Sequence, residues 1–225
     1  MSDTDELNLL KYRQAMVKII AVHASMCLEE IGKDRLSDPV MQAMATVPRH
    51  RFVPVELQEL AYEDLPLPIG CGKTISQPFI VALMTDLLAI EEQDKILEIG
   101  TGLGYQAAIL TELAQQVFSV EIIEELAREA ELRLRATGCD NVQLRIDDGS
   151  RGWVEHAPFD KIIVTAAPEL VPQRLLEQLK PGGKLVLPVG VEDKQKLIVV
   201  EKGDDHQVRT RELIAVQFLP LITSH

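Results

Sequence analysis

Three glycines at alternate positions, Gly100, Gly102 and Gly104, follow the apolar run Lys95 to Ile99 and precede an apolar-periodic segment from Ala107 to Ala114. That order predicts strand, tight turn and helix. Glycine serves there where the backbone takes positive φ or a ligand approaches it closely, and the following helix offers unpaired N–H groups. The turn therefore predicts a cofactor site, with a purely structural turn as the alternative. Its spacing excludes a dinucleotide fingerprint, Gly-x-Gly-x-x-Gly, because Tyr105 stands where the last glycine would fall. Roughly 20 residues on, Glu121 closes the run Val117-Phe118-Ser119-Val120-Glu121, where its carboxylate can accept hydrogen bonds from both hydroxyls of a ribose.

The elements that must position these residues are legible as a repeat of strand and helix. Val117–Glu121, Val142–Ile146, Phe159–Ala166 and Lys184–Pro188 read as further strands. Ile123–Thr137 and Val171–Leu179 read as helices, the latter stopped by Pro181-Gly182-Gly183. Such alternation implies an α/β fold with a parallel, doubly wound sheet whose ligands sit at the carboxyl ends of the strands. The glycine turn, Glu121 and Asp148-Gly149 all fall at such ends. Lys196 to Glu201 and Gln207 to Leu219 read as a hairpin adding an antiparallel strand.

Before the turn, Leu9, Tyr12, Met16, Ile19, Ile20, His23, Met26, Cys27 and Ile31 recur at helical steps and predict one amphipathic helix. A second helix is expected from Pro39 to about Val47, with Asp38 as its cap. Arg49-His50-Arg51 reads as a solvated turn between prolines. The proline- and glycine-punctuated loop Tyr62–Lys73 is long enough to predict a functional role. It leads into Thr74-Ile75-Ser76-Gln77-Pro78 and a helix running to about Ala89, of which Ser76 is the natural N-cap.

Composition narrows the function. At 225 residues the chain suits a single domain, with 1–73 as helical cap and loop, 74–190 as the cofactor-binding core and 191–225 as the C-terminal hairpin. A balance of 23 basic to 35 acidic residues, net −12, argues against a nucleic-acid partner. Cys27, Cys71 and Cys139 match no zinc spacing and read as reduced thiols, so no metal is expected. The acidic start and the lack of any unbroken apolar run near 18 residues predict neither a targeting peptide nor a membrane span, hence a cytoplasmic protein, expected as a monomer.

Glu98-x-Gly-x-Gly-x-Gly with Glu121 ending the next strand resembles the class I S-adenosylmethionine-dependent methyltransferases, of Rossmann-like fold. Val47 to Pro54, Thr74 to Pro78, Leu97 to Ala108, Ala157 to Asp160, Leu179 to Gly183 and Pro188 to Gly190 narrow the resemblance over nearly the whole chain. It is to the protein-L-isoaspartate (D-aspartate) O-methyltransferases, and the Ile-Ser-Gln-Pro block is its most specific part.

The resemblance implies methyl transfer from S-adenosyl-L-methionine, leaving S-adenosyl-L-homocysteine, to the free α-carboxylate of L-isoaspartyl residues in damaged proteins and peptides. The ester then closes to a succinimide whose hydrolysis returns some aspartate. It implies Ser76 as the catalytic residue, and Ile75, Ser76, Glu98, Gly100, Thr101, Gly102, Gly104, Glu121, Asp148 and Gly149 as the cofactor-binding set. Glu121 would hold the ribose, and Asp148 with Gly149 would meet the adenine. Lys73, Leu103 and Asp147 depart from the family's usual Gln, Ser and Gly, and the segment Cys27–Lys33 departs from its usual wording. The alternative is a methyltransferase of the same fold acting on a small molecule or an undamaged protein.

Overall fold

A computed structural model describes residues 3–205 and 207–224; Met1 and Ser2, part of the acidic start, lie outside the described residues. Seven strands form the main sheet: β3 (Lys95–Ile99), β4 (Gln116–Glu121), β5 (Val142–Ile146), β6 (Phe159–Val164), β7 (Leu179–Val189), β8 (Gln195–Lys202) and β9 (Val208–Val216), with the small antiparallel ribbon β1 (Leu67–Gly70) and β2 (Lys73–Ile75) standing apart. The order across the sheet is β5-β4-β3-β6-β7-β8-β9, parallel through β7 and antiparallel at β8 and β9. The order therefore reverses between β3 and β6, the switch point at which an open α/β sheet leaves a crevice.

The helices are α1 (Asp3–Met26), α2 (Leu28–Ile31), α3 (Asp38–Thr46), α4 (Pro78–Leu88), α5 (Tyr105–Thr111), α6 (Glu124–Ala136) and α7 (Gln173–Gln178). The two-residue period of the strands sends alternate side chains to opposite faces. Ile96, Val117, Ile163 and Val186 join the core built with α1 and α3 to α6, whereas Leu97, Ile99, Phe118 and Val120 join the core beneath α7. Burial of α4 is nearly complete from Pro78 to Leu88, so this helix is a rigid mount for the Ile-Ser-Gln-Pro block ahead of it.

Several local expectations change. The first helix ends at Met26 and buries the stripe Met16, Ile20, Ala24, leaving Tyr12, Ile19 and Met26 exposed. Three- and four-residue steps had merged two faces, and the small Ala24 gave no apolar signal. Ser37, not Asp38, precedes α3, and its N–H is donated to Asp86 Oδ1 at 2.7 Å. Pro181-Gly182-Gly183 does not stop a helix but lies inside β7, where the pairing jumps from Phe159 opposite Leu179 to Lys161 opposite Lys184. The extra residues are absorbed as a bulge.

Arg49-His50-Arg51 is not a solvated turn, since Arg49 and His50 are buried. The Arg49 guanidinium lies 4.9 Å from the Tyr105 ring centroid, and its Nε donates to the Ala61 carbonyl at 2.8 Å. Loss of hydration pulls its pKa down to about 10. His50 Nδ1 meets the Tyr62 hydroxyl at 2.7 Å, and burial, helped by Arg51 and Arg13, lowers its pKa to about 4. A charge run can thus be core where a neighbouring ring and free carbonyls supply partners.

Candidate active site

Ser76 and the glycine turn meet at two adjoining cavities on the carboxyl side of β3, β4 and β6. The larger has a volume of about 400 Å³ and is lined by Ser76, Gln77, Gly100, Gly102, Glu121 and Gly149, among others. The smaller, about 50 Å³, is lined by Ile75, Ser76, Gly100, Thr101, Gly102 and Gln106 among its walls. Ser76, Gly100, Gly102 and Thr165 belong to both.

The turn keeps its shape for identifiable reasons. Gly100, Gly102 and Gly104 have φ of +97°, +56° and +97°, the left-handed region that a side chain resists. The Thr165 hydroxyl donates to the Gly100 carbonyl at 2.7 Å and leaves no room for a Cβ on that residue. Glu121 Oε2 accepts the Gly102 N–H at 2.8 Å, and Oε1 accepts the Ile123 N–H at 3.0 Å. A carboxylate has about four acceptor sites, so Glu121 can hold the turn and still receive ligand hydroxyls from the cavity it lines.

Other expected site residues stand further back. Glu98 lines neither cavity; it is fully buried opposite Ser119 and accepts that residue's hydroxyl, while Thr101 Oγ1 meets Ser119 Oγ at 2.6 Å. Desolvation, with Glu121 adding to it, raises the Glu98 pKa to about 8, although the Ser119 bond opposes the shift. Gly104 caps α5 and packs against Leu134 and Ala130 instead of lining either cavity. Asp148 lies beside the larger cavity rather than in its wall: Oδ1 accepts Ser150 N–H at 2.9 Å, and Oδ2 accepts the N–H and Oγ–H of Ser224 at 2.9 and 3.1 Å. Burial would raise its pKa, but those donors outweigh it and hold the carboxyl below the usual aspartate value. The departure at Asp147 is compensated locally, since Arg145 pairs with it at 2.7 Å and its Oδ1 accepts the Asp148 N–H. Leu103, another departure, is buried in the core.

Ser76 is not the cap of α4. Gln77 occupies the cap position without a side-chain bond to the helix, and Asp64, reaching in from the preceding loop, accepts the Phe79 N–H at 2.8 Å instead. No described residue hydrogen-bonds the Ser76 hydroxyl, which is left for a ligand. Sequence reasoning missed Asp64, Thr165 and the chain from Ala215 to Ile222 that forms one wall of the larger cavity. Thr165 follows β6 and was open to the strand-end rule that picked out Glu121; Asp64 and the wall had no such signal.

A sheet parallel through β7 that reverses its order beside a Gly-x-Gly-x-Gly turn, with an acid closing the next strand and antiparallel β8 and β9 at one edge, is the fold of the class I S-adenosylmethionine-dependent methyltransferases. Within that class the similarity is narrower. The chain belongs to the protein-L-isoaspartate(D-aspartate) O-methyltransferase (PCMT) family, whose profile matches residues 23–225. It is 56% identical to protein-L-isoaspartate O-methyltransferase 1 of Polaromonas sp. (strain JS666 / ATCC BAA-500) over 206 residues, 92% of this chain and 87% of that protein. A solved protein-L-isoaspartate O-methyltransferase superposes with TM-score 0.79 at 26% identity, over 92% of this chain and 65% of the other. A Plasmodium falciparum structure described as a PCMT in complex with S-adenosyl-L-homocysteine superposes with TM-score 0.73 at 22% identity, covering 90% and 98%.

Proposed function

We propose that this protein methylates the free α-carboxylate of L-isoaspartyl residues in damaged proteins and peptides, with Ser76 orienting that carboxylate at the junction of the two cavities. The observation that carries the reading is the Ser76 hydroxyl, bonded to no described residue and shared by both cavities with Gly100, Gly102 and Thr165.

The cavity fits S-adenosylmethionine. Its volume of about 400 Å³ lies within the range of small-ligand sites. The glycine turn exposes backbone rather than side chains, and Glu121 has acceptor capacity to spare for a ribose. Ile75, Thr101 and Gln106 would surround the part nearest the turn, with Gly149 and the flanking Asp148 at the adenine end. Glu98 and Gly104 act from behind, one bracing Ser119 and Thr101, the other starting α5.

When bound, the cofactor supplies an electrophilic methyl group carried on a sulfonium. The residues of the chain have a simple task, because an α-carboxylate with a pKa of about 3.5 is already ionised at neutral pH and needs no general base. What they supply is alignment. Ser76 Oγ–H can donate to one carboxylate oxygen and leave the other free to attack, and α4 fixes Ser76 from behind. The methyl ester leaves the site and closes to a succinimide as the following amide nitrogen attacks the ester carbonyl and methanol departs; hydrolysis of the ring returns some aspartate. Among the described residues there is no group of three or more His, Cys, Asp or Glu placed to hold a metal, and no helix long and apolar enough to cross a membrane. That the protein works in the cytoplasm as a monomer is part of this proposal and rests on the sequence alone.

Replacing Ser76 by Ala tests the assignment. Affinity for S-adenosyl-L-homocysteine, measured by calorimetry, should stay within about threefold, while turnover on an isoaspartyl peptide should fall by roughly a hundredfold, of the order found for removing one aligned donor. Unchanged turnover would remove Ser76 from the mechanism.

A further inference from the structure

The residue after Ser76 is held in a single orientation by a buried carboxylate. Asp64, on the loop before β1, accepts three donors: the Phe79 N–H at 2.8 Å, Gln77 Nε2 at 3.0 Å and His23 Nδ1 at 2.6 Å. An ionised carboxylate only accepts, so the Gln77 amide must present its NH2 to Asp64 and turn its carbonyl the other way. Gln77 lines the larger cavity beside Ser76, and no described residue donates to its Oε1. The cavity is therefore offered a fixed neutral acceptor next to the Ser76 hydroxyl.

The substrate class has a donor to match. In an isoaspartyl residue the chain leaves through the side-chain carbonyl, so the free α-carboxylate is followed, across Cα, Cβ and one carbonyl, by an amide N–H. An ordinary aspartyl residue carries an N–H at the same number of bonds from its carboxylate, so what this donor distinguishes is a carboxylate within a chain from a free aspartate or a chain-terminal carboxylate, which lack it. Resting on the function proposed above, we infer that Gln77 is a specificity-determining residue whose Oε1 accepts the amide N–H following the isoaspartyl residue, and that Asp64 is the positioning residue that sets its orientation. Leaving this half-buried acceptor unmatched weakens the transition state of a substrate without the donor.

The test uses two isoaspartyl peptides that differ only in the atom after the side-chain carbonyl, N–H in one and an ester oxygen in the other, with methyl transfer followed by mass spectrometry. Wild-type protein should prefer the amide peptide in kcat/KM by about tenfold, the size of one hydrogen bond to a neutral partner. Gln77→Met, which keeps length and loses the acceptor, should bring the ratio within about twofold of unity, as expected for a lost hydrogen bond. Asp64→Asn keeps an oxygen for the Phe79 N–H but offers Gln77 a donor. Its amide should then turn over and present NH2 to the cavity, again abolishing the preference. A Gln77→Met protein that discriminates as wild type does would overturn the inference while leaving the methyltransferase reading intact. Should Asp64→Asn fold poorly, the Gln77→Met comparison decides alone. Wild-type protein that methylates neither peptide would overturn the proposed function, and this inference with it.

Discussion

Replacing Glu98 by Gln tests whether the acid beneath the glycine turn is neutral. Folded Glu98 keeps its proton up to about pH 8, whereas the unfolded chain releases it near 4.5, because burial without a compensating charge disfavours the ionised form. The raised pKa of an acid costs stability as pH rises: above 4.5 ionisation favours the unfolded chain, and the loss levels off above pH 8. One pH unit corresponds to about 1.4 kcal/mol. From those limits the loss attributable to Glu98 reaches at most about 3 kcal/mol at pH 7 and about 5 kcal/mol at pH 8. Gln keeps the volume and an acceptor for Ser119 but cannot ionise. Any cost of its amide is the same at every pH, so the slope carries the test. Urea unfolding of both proteins between pH 5 and 8.5, followed by circular dichroism, should show the wild type losing stability relative to Glu98→Gln across that window. Parallel curves would refute the reasoning and mean that Glu98 is already charged in the fold.

Three further outcomes are expected. Gly100→Ala should abolish cofactor binding in calorimetry, since its Cβ would lie 2.4 Å from Thr165 Oγ1. Adding Thr165→Ala should restore it only in part, because φ of +97° still costs a side chain about 1–2 kcal/mol. Lys73 is the cation in the larger cavity's wall and has no ion pair among the described residues, so Lys73→Gln should raise KM for an isoaspartyl peptide a few-fold at low salt with kcat unchanged, an effect that vanishes at about 0.5 M salt. Ser224→Ala removes one donor to Asp148 and should cost about 1 kcal/mol at neutral pH. Because that carboxyl's folded pKa lies below the ordinary 3.8, the loss is present in full above that value and disappears as pH falls through the folded pKa, which urea unfolding at pH 2 to 7 would reveal.

What could be read in advance divides along physical lines. The sheet and the glycine turn were legible because they depend on local patterning: apolar runs of strand length, glycines at positive φ, and an acid at a strand end. Ser76 was legible only through resemblance. Its local chemistry, a serine before a proline at a helix start, pointed to a cap, and Asp64 took that role through a contact 15 residues away in sequence. Arg49 and His50 were misread for the same reason: their partners Tyr105, Ala61 and Tyr62 arrive through tertiary packing. The Ala215 to Ile222 wall was equally hidden. It is placed by the buried Gln195, whose amide donates to the Phe218 carbonyl at 2.9 Å and accepts the Phe218 N–H at 2.6 Å, and by pairing of Ala167 with Pro220.

The central claim is that this site methylates a misplaced backbone carboxylate and not an ordinary one. Two peptides identical except for L-isoaspartate or L-aspartate at one position, incubated with the protein and methyl-labelled S-adenosylmethionine, measure it directly. Base-labile label on the isoaspartyl peptide alone is the predicted result. Equal labelling of both peptides, or none on either with cofactor binding intact, would contradict the account and assign the same fold and cofactor to a different acceptor.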